Sequence, residues 1–263
     1  YQHYWNKKPF IVRGYLGESD FADTISPELL AGLALEPEIK SRIIQYQPTK
    51  KTWQCEHGAF DEQFFETLPD SHWSLLVQDV EQYHAQTAQL LKHFSFAPLW
   101  LLDDIMVSYS TEHGSVGPHK DSYHVFLLQG MGTRTWKIGT EALENPQLAA
   151  NKDLEILQDD FAHQEITVQM GDVIYIPPHF AHSGITKQPS LTFSIGFLGP
   201  KMSDLLGDFS LFLEDASTTL NNRFNAKNAT TEDAGVHISQ DMAKYIQNAM
   251  QDALQSGLFS QWL

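Results

Sequence analysis

One cysteine, Cys55, stands among 263 residues, so the chain has no internal disulfide. A reducing cytoplasm fits that usage. Basic residues are also scarce: 17 Lys and Arg against 33 Asp and Glu leave a formal charge of −16. No basic stripe exists to meet phosphates, so direct binding of nucleic acid is not expected. A surface of this sign suits a basic partner instead, such as a segment of a nucleic-acid-associated protein. No apolar run approaches the roughly 20 residues that cross a bilayer. No basic start followed by an apolar centre marks a signal peptide. These absences predict a cytoplasmic globular protein with no membrane association. The chain opens on Tyr1-Gln2-His3-Tyr4-Trp5 rather than Met. That stretch reads as the middle of a helix, so the start is expected to be trimmed.

What is present falls into three regions. In residues 26–35, SPELLAGLAL, Ser26 is an N-cap and Pro27 the first helical position. KPFIVRG (8–14), SRIIQYQ (41–47) and KTWQCEHGAF (51–60) read as strands. The apolar spacing of Leu75, Leu76, Val80, Tyr83 and Leu90 predicts one long amphipathic helix over 71–94. From Asp104 to Phe197, short β-branched and aromatic runs alternate with Gly, Pro and Asn: DIMVSYS, YHVFLLQ, RTWKIG, QEITVQ, DVIYIPP and LTFSIGF. Such runs predict an antiparallel sandwich or barrel. Beyond Pro200, MSDLLGDFSLFLE and SQDMAKYIQNAMQDALQSG carry helical apolar stripes, and Gly257 offers a helix stop. The Asn- and Thr-rich stretch 216–236 between them reads as a loop. The stripes need something to pack on, either the barrel or a second copy of themselves.

The chemistry concentrates in GPHKDSYHVFLLQGMGTRTWKIG, residues 117–139. Side chains alternate faces along a strand, so a strand starting near Pro118 would present His119, Asp121 and Tyr123 on one face. An imidazole and a carboxylate suit Fe(II), Mn(II) or Zn(II), and a third ligand is needed. GDVIYIPPHFAHSGI offers two candidates, His179 and His182. Two histidines and one carboxylate make the facial triad of non-haem iron oxygenases. Gly130 and Gly132 permit a hairpin that would bring Arg134 back over the strand carrying Asp121. A guanidinium near a metal on an inner face calls for an anionic partner. Tyr123 either adds a hydroxyl to that acid or belongs to the core. Val125, Leu127, Trp136 and Ile176 read as core that doubles as an apolar wall.

GPHKD, Arg134 and GDVIYIPPHFAHSG together resemble the JmjC-type 2-oxoglutarate oxygenases of the cupin superfamily, and among them the bacterial ribosomal oxygenases. SPELLAGLA, HWSLLVQ, DDIMVSYS and FSIGF extend the similarity through most of the chain. The resemblance implies an α+β protein, mainly β with helices: a double-stranded β-helix with flanking N-terminal helices. It implies an oxygenase domain over 1–200 and a helical dimerisation region over 201–263, hence a homodimer. A further winged-helix-like C-terminal domain, typical of the family, is expected to be missing. The implied cofactors are Fe(II), held by His119, Asp121 and His182, and 2-oxoglutarate, its far carboxylate held by Arg134. His179 stands where the family's motif has Gly. The implied reaction is hydroxylation of an arginine side chain in a large-subunit ribosomal protein, with Glu112 and Asp104 as candidates for an acidic rim. Oxidation of another protein residue (histidine or methyl-lysine) or of a small molecule is the nearest alternative. A non-catalytic metal-binding cupin has no need of Arg134.

Overall fold

The computed structural model describes residues 2–216 and 238–263. It divides into two compact units, Tyr1–Gly199 and Pro200–Leu263.

The first unit is built on eleven strands: β1 Phe10–Val12, β2 Ser41–Gln47, β3 Thr52–His57, β4 Trp73–Val77, β5 Leu102–Ser110, β6 His124–Met131, β7 Thr133–Ala142, β8 His163–Gln169, β9 Val173–Ile176, β10 Phe180–Thr186 and β11 Ser190–Phe197. Eight of them form an antiparallel sheet in the order β1-β9-β6-β11-β5-β4-β2-β3, and three form a second sheet, β10-β7-β8. The alternation of β6 shows how the layers stack. Val125 and Leu127 meet Trp136, Ile138 and Val168 of the small sheet. Phe126 and Leu128 point the other way, into a larger core with Leu30 and Phe94 from the helical layer. The large sheet is thus covered on both faces, so β6 reads VFLL without polar breaks. Complete burial of rings such as Phe126 and Phe193 stabilises by about 2–3 kcal/mol each.

The helical layer contains α1 Pro27–Leu33, α2 Glu62–Glu66, α3 Val80–Tyr83 and α4 Ala85–Ala88. Ser26 caps α1 as expected, its hydroxyl accepting from the Leu29 N–H at 3.3 Å. The long helix expected over 71–94 does not form. Trp73–Val77 is β4, a strand between β2 and β5, and only short helical turns follow it. A strand buried on both faces is continuously apolar, and its run imitated a helical stripe. The chain start is not a helix either: residues 2–7 form turns, Asn6 sits at φ 57°, and Trp5 stacks on His124 at 4.1 Å.

Two further expectations change. β6 begins at His124, so His119 and Asp121 precede the strand instead of riding on it. The Gly132 turn, at φ +69°, does not close a β6–β7 hairpin. It carries the chain from one sheet to the other, because β6 pairs with β9 and β11 whereas β7 pairs with β8 and β10. Gly132 is required there, since a Cβ would meet the Pro189 carbonyl oxygen at 2.2 Å.

Among the described residues the second unit contains α5 Met202–Ala216, α6 Gln240–Gln255 and α7 Gly257–Trp262. Phe209 of α5 packs on Phe259 and Trp262 of α7, at 5.2 and 5.3 Å between ring centroids. The Trp262 indole N–H donates to Asp208 at 2.9 Å. Gly257 opens α7 rather than stopping α6, which ends at Gln255 with Ser256 extended. Met202, Leu206, Leu211 and Met250 are exposed on this unit. The loop expected over 216–236 lies, beyond Ala216, outside the described residues.

Candidate metal centre

β10, which the sequence reading did not single out as a strand, supplies His182. It pairs with β7 in the register His182↔Ile138 and Gly184↔Trp136, with an irregularity between Phe180 and His182. On its other side it meets the loop before β6 through a single antiparallel bridge, His119↔His182. The His119 N–H donates to the His182 carbonyl at 3.0 Å, and the His182 N–H donates back at 2.8 Å. A second tie follows: the His179 N–H donates to the Asp121 carbonyl at 2.7 Å. The backbone therefore fixes the spacing of the candidate ligands before any ion is considered.

Ligand atoms of His119, Asp121 and His182 lie within 4.8 Å of one another. His182 Nε2 is 3.5 Å from one Asp121 oxygen, and His119 Nε2 is 4.0 Å from the other. Each imidazole has its Nδ1 against a backbone carbonyl, Gly117 at 3.0 Å and Phe180 at 3.1 Å. A carbonyl only accepts, so Nδ1 carries the proton and Nε2 keeps its lone pair for the centre. Burial, with His119 alongside, lowers the His182 pKa to about 4, which keeps that imidazole neutral. Two neutral imidazole nitrogens and one carboxylate oxygen on one side of a cavity fit a first-row divalent ion. His179 is not part of the group. It is exposed, and it holds the left-handed backbone, φ +67°, that explains the Gly of the motif.

Arg134 lines the same cavity from β7. It is 2% exposed. Its guanidinium makes two long hydrogen bonds, to Thr192 Oγ1 at 3.4 Å and to the Gly184 carbonyl at 3.3 Å, and its Nε has no partner. Among the described residues no carboxylate pairs with it. Burial lowers its pKa to about 10, so it stays charged at neutral pH. An unpaired buried cation is costly, and an anion entering the cavity removes that cost.

Tyr123, Val125, Leu127 and Trp136 also line the cavity, whereas Ile176 remains core. Burial raises the Tyr123 pKa, so its hydroxyl stays protonated. Asp104 reaches the cavity from β5. Burial raises its carboxyl to about pKa 6, helped by Asp103 and Asp79, against a weak bond from the Asp79 N–H at 3.4 Å. Glu112 does not join them: it is exposed, 3.7 Å from His113, and outside the cavity. The sequence reading missed Thr192 and Ser194, which line the cavity from β11. Their signal was present, since Thr192, Ser194 and Gly196 alternate with Phe193 and Ile195.

A cupin-like sandwich with two histidines, one carboxylate and a buried guanidinium defines a metal-dependent oxygenase type of site. The JmjC domain family matches residues 89–205. The chain is 39% identical over 209 residues to the ribosomal protein uL16 3-hydroxylase of Escherichia coli K12, covering 80% of this chain and 54% of that protein. It is 36% identical over 209 residues to a probable ribosomal oxygenase of Haemophilus influenzae, covering 79% and 50%. The chain thus spans about half the length of the curated relatives it matches. The X-ray structure of E. coli YcfD superposes with a TM-score of 0.84 at 32% identity, over 99% of this chain and 68% of that one. The YcfD ribosomal oxygenase in complex with cobalt and 2-oxoglutarate gives a TM-score of 0.79 at 30% identity, over 99% and 67%. The chain belongs to the JmjC-domain family, with its cupin-like fold, and is similar to bacterial ribosomal oxygenases. Fe(II) and 2-oxoglutarate, expected from the resemblance, are the cofactors of that family, and the donor set present fits the metal.

Proposed function

We propose that this chain is the catalytic part of an Fe(II)- and 2-oxoglutarate-dependent oxygenase that hydroxylates an arginine side chain of a large-subunit ribosomal protein. One observation carries the reading: three ligand atoms within 4.8 Å of one another share a cavity with a buried guanidinium that has no carboxylate partner. A metal-storage cupin has no use for that cation, whereas a diacid cosubstrate does.

In this reading His119, Asp121 and His182 hold the ion on one side and leave its other positions to ligands that come and go. When bound, Fe(II) and 2-oxoglutarate supply the oxidising power: with O₂ the oxo acid becomes succinate and CO₂, and one oxygen atom enters a substrate C–H bond. Arg134 receives the far carboxylate, with the Tyr123 hydroxyl as a second donor. Val125, Leu127 and Trp136 keep water from the reacting end. Asp104 recognises the substrate cation. Its half-buried carboxyl lacks a cationic partner among the described residues, and a guanidinium beside it would offset the cost of burying its charge. The acidic chain as a whole attracts a basic ribosomal protein in the cytoplasm. The exposed apolar residues of α5 and α6 support self-association of the helical unit as a homodimer.

The test is incubation of the iron-loaded chain with 2-oxoglutarate and basic ribosomal peptides, followed by mass spectrometry and succinate assay. Gain of one oxygen on an arginine, coupled to succinate, supports the reading. Succinate released without peptide oxidation, or oxidation on a different residue type, contradicts the assigned substrate.

A further inference from the structure

Among the described residues three buried side-chain nitrogens lack a hydrogen-bond partner, and two of them, Arg134 Nε and Trp136 Nε1, belong to residues that line this cavity. Trp136 is 4% exposed. It follows Arg134 by two residues on β7, so both side chains face inward. The Arg134 guanidinium stacks on the indole, 4.6 Å from the ring centroid. The same indole lies 6.0 Å from the His182 ring. Trp136 therefore stands between the candidate ligand and the candidate clamp. Gly184, opposite it on β10, presses both in place: a Cβ there would meet Arg134 Nε at 2.5 Å and two indole carbons at 2.9 Å.

A buried N–H without an acceptor costs about 1–3 kcal/mol. Its neighbours in the cavity offer no relief. Arg134 is a cation and only donates. His182 directs Nε2 toward Asp121 and the metal position. The Thr192 hydroxyl already donates to Gln129 at 3.1 Å and accepts from Arg134. A phenylalanine would fill the same space without the orphaned donor. The indole nitrogen makes physical sense when the acceptor arrives with a ligand.

We propose that the Trp136 indole N–H donates to the far carboxylate of the bound 2-oxo diacid, beside Arg134, and so helps select a diacid of this length. The inference rests on the reading of the cavity as a 2-oxoglutarate site. Trp136 binds cosubstrate in this scheme and takes no part in bond making.

The test is calorimetric titration of Zn(II)-loaded protein, which does not turn over, with 2-oxoglutarate and with oxalate. Oxalate offers a metal-binding end without the far acid. Trp136→Phe keeps the ring and removes the donor. It should weaken 2-oxoglutarate about 10-fold or more, the worth of a hydrogen bond to a charged group, and leave oxalate unchanged. Equal 2-oxoglutarate affinity in Trp136→Phe, or an equal loss for both ligands, overturns the proposal. Arg134→Gln is the control on the underlying reading. If it weakens 2-oxoglutarate while Trp136→Phe does not, the diacid site stands and the indole role falls. If neither variant weakens 2-oxoglutarate, the diacid site itself falls. A second measurement needs no folded variant: the Trp136 indole N–H resonance of ¹⁵N-labelled Zn(II) protein should move on adding 2-oxoglutarate and not oxalate. A resonance that 2-oxoglutarate leaves in place overturns the proposal.

Discussion

His119 and His182 exchange both of their backbone hydrogen bonds, at 3.0 and 2.8 Å, although one lies in the loop before β6 and the other on β10. Pairing of the main chains therefore sets the spacing of two candidate ligands, and the His179 N–H fixes the backbone of the third candidate, Asp121, in the same way. A site held by backbone needs little reorganisation when an ion arrives. Side-chain substitutions there should remove chemistry while leaving the fold.

Arg134→Gln separates binding from stability. Loss of the bidentate cation should raise the 2-oxoglutarate requirement by about 30-fold or more, roughly 2 kcal/mol. The ligand-free variant should melt no lower than the native chain, because a buried unpaired charge has been removed. Steady-state kinetics over a 2-oxoglutarate series and a melting curve without ligand check the two halves. An unchanged requirement would exclude Arg134 as the clamp.

Gly184→Ala places a methyl where 2.5 Å separates it from Arg134 Nε and 2.9 Å from the Trp136 ring. Overpacking of this kind costs about 1–3 kcal/mol. The variant should lose that stability in urea titration and bind 2-oxoglutarate more weakly, with metal stoichiometry unchanged. Native stability and affinity would show that the guanidinium–indole pair can shift freely.

His179→Gly should stabilise the chain by about 1 kcal/mol, since a left-handed φ of +67° strains any side chain and not glycine. The imidazole is exposed, so nothing packed is lost. Chemical denaturation reads the effect, and a destabilised variant would mean that the His179 side chain makes an interaction worth more than its backbone strain.

Asp104 gives a pH signature. Its folded carboxyl holds a proton up to about pH 6, whereas in the unfolded chain it is expected near the ordinary 3.8. Between those values the folded state binds more protons, so this group makes stability fall as pH rises from about 4 to about 6, and level off above. Asp104→Asn removes that component. Urea midpoints of both proteins across the window should converge at low pH and separate near neutrality, the variant being the more stable. Parallel curves would contradict the raised carboxyl. At neutral pH the variant should also turn over a cationic peptide more slowly.

Residue type and spacing made the site more legible than the strands around it. His119, Asp121, His182 and Arg134 stand out because few side chains bind metals or diacids, and motif spacing survives without knowledge of register. The strand assignments failed where burial was complete. Trp73–Val77 is buried on both faces and apolar but for Ser74, so period gave no vote between helix and strand. β10 was hidden because FAHSGIT mixes small, polar and apolar residues, set by the candidate ligand His182 and the Gly184 contact rather than by alternation. The path of Arg134 into the cavity depends on a chain crossing between sheets at Gly132, and a local glycine pattern reports a turn without saying which strands it joins.

Metal stoichiometry tests the central claim most directly. Purified chain titrated anaerobically with Fe(II) should take up one ion per chain. His119→Ala, Asp121→Ala and His182→Ala should each lose it while keeping native circular dichroism. Full uptake by any one of these variants, above all His182→Ala, would contradict the account.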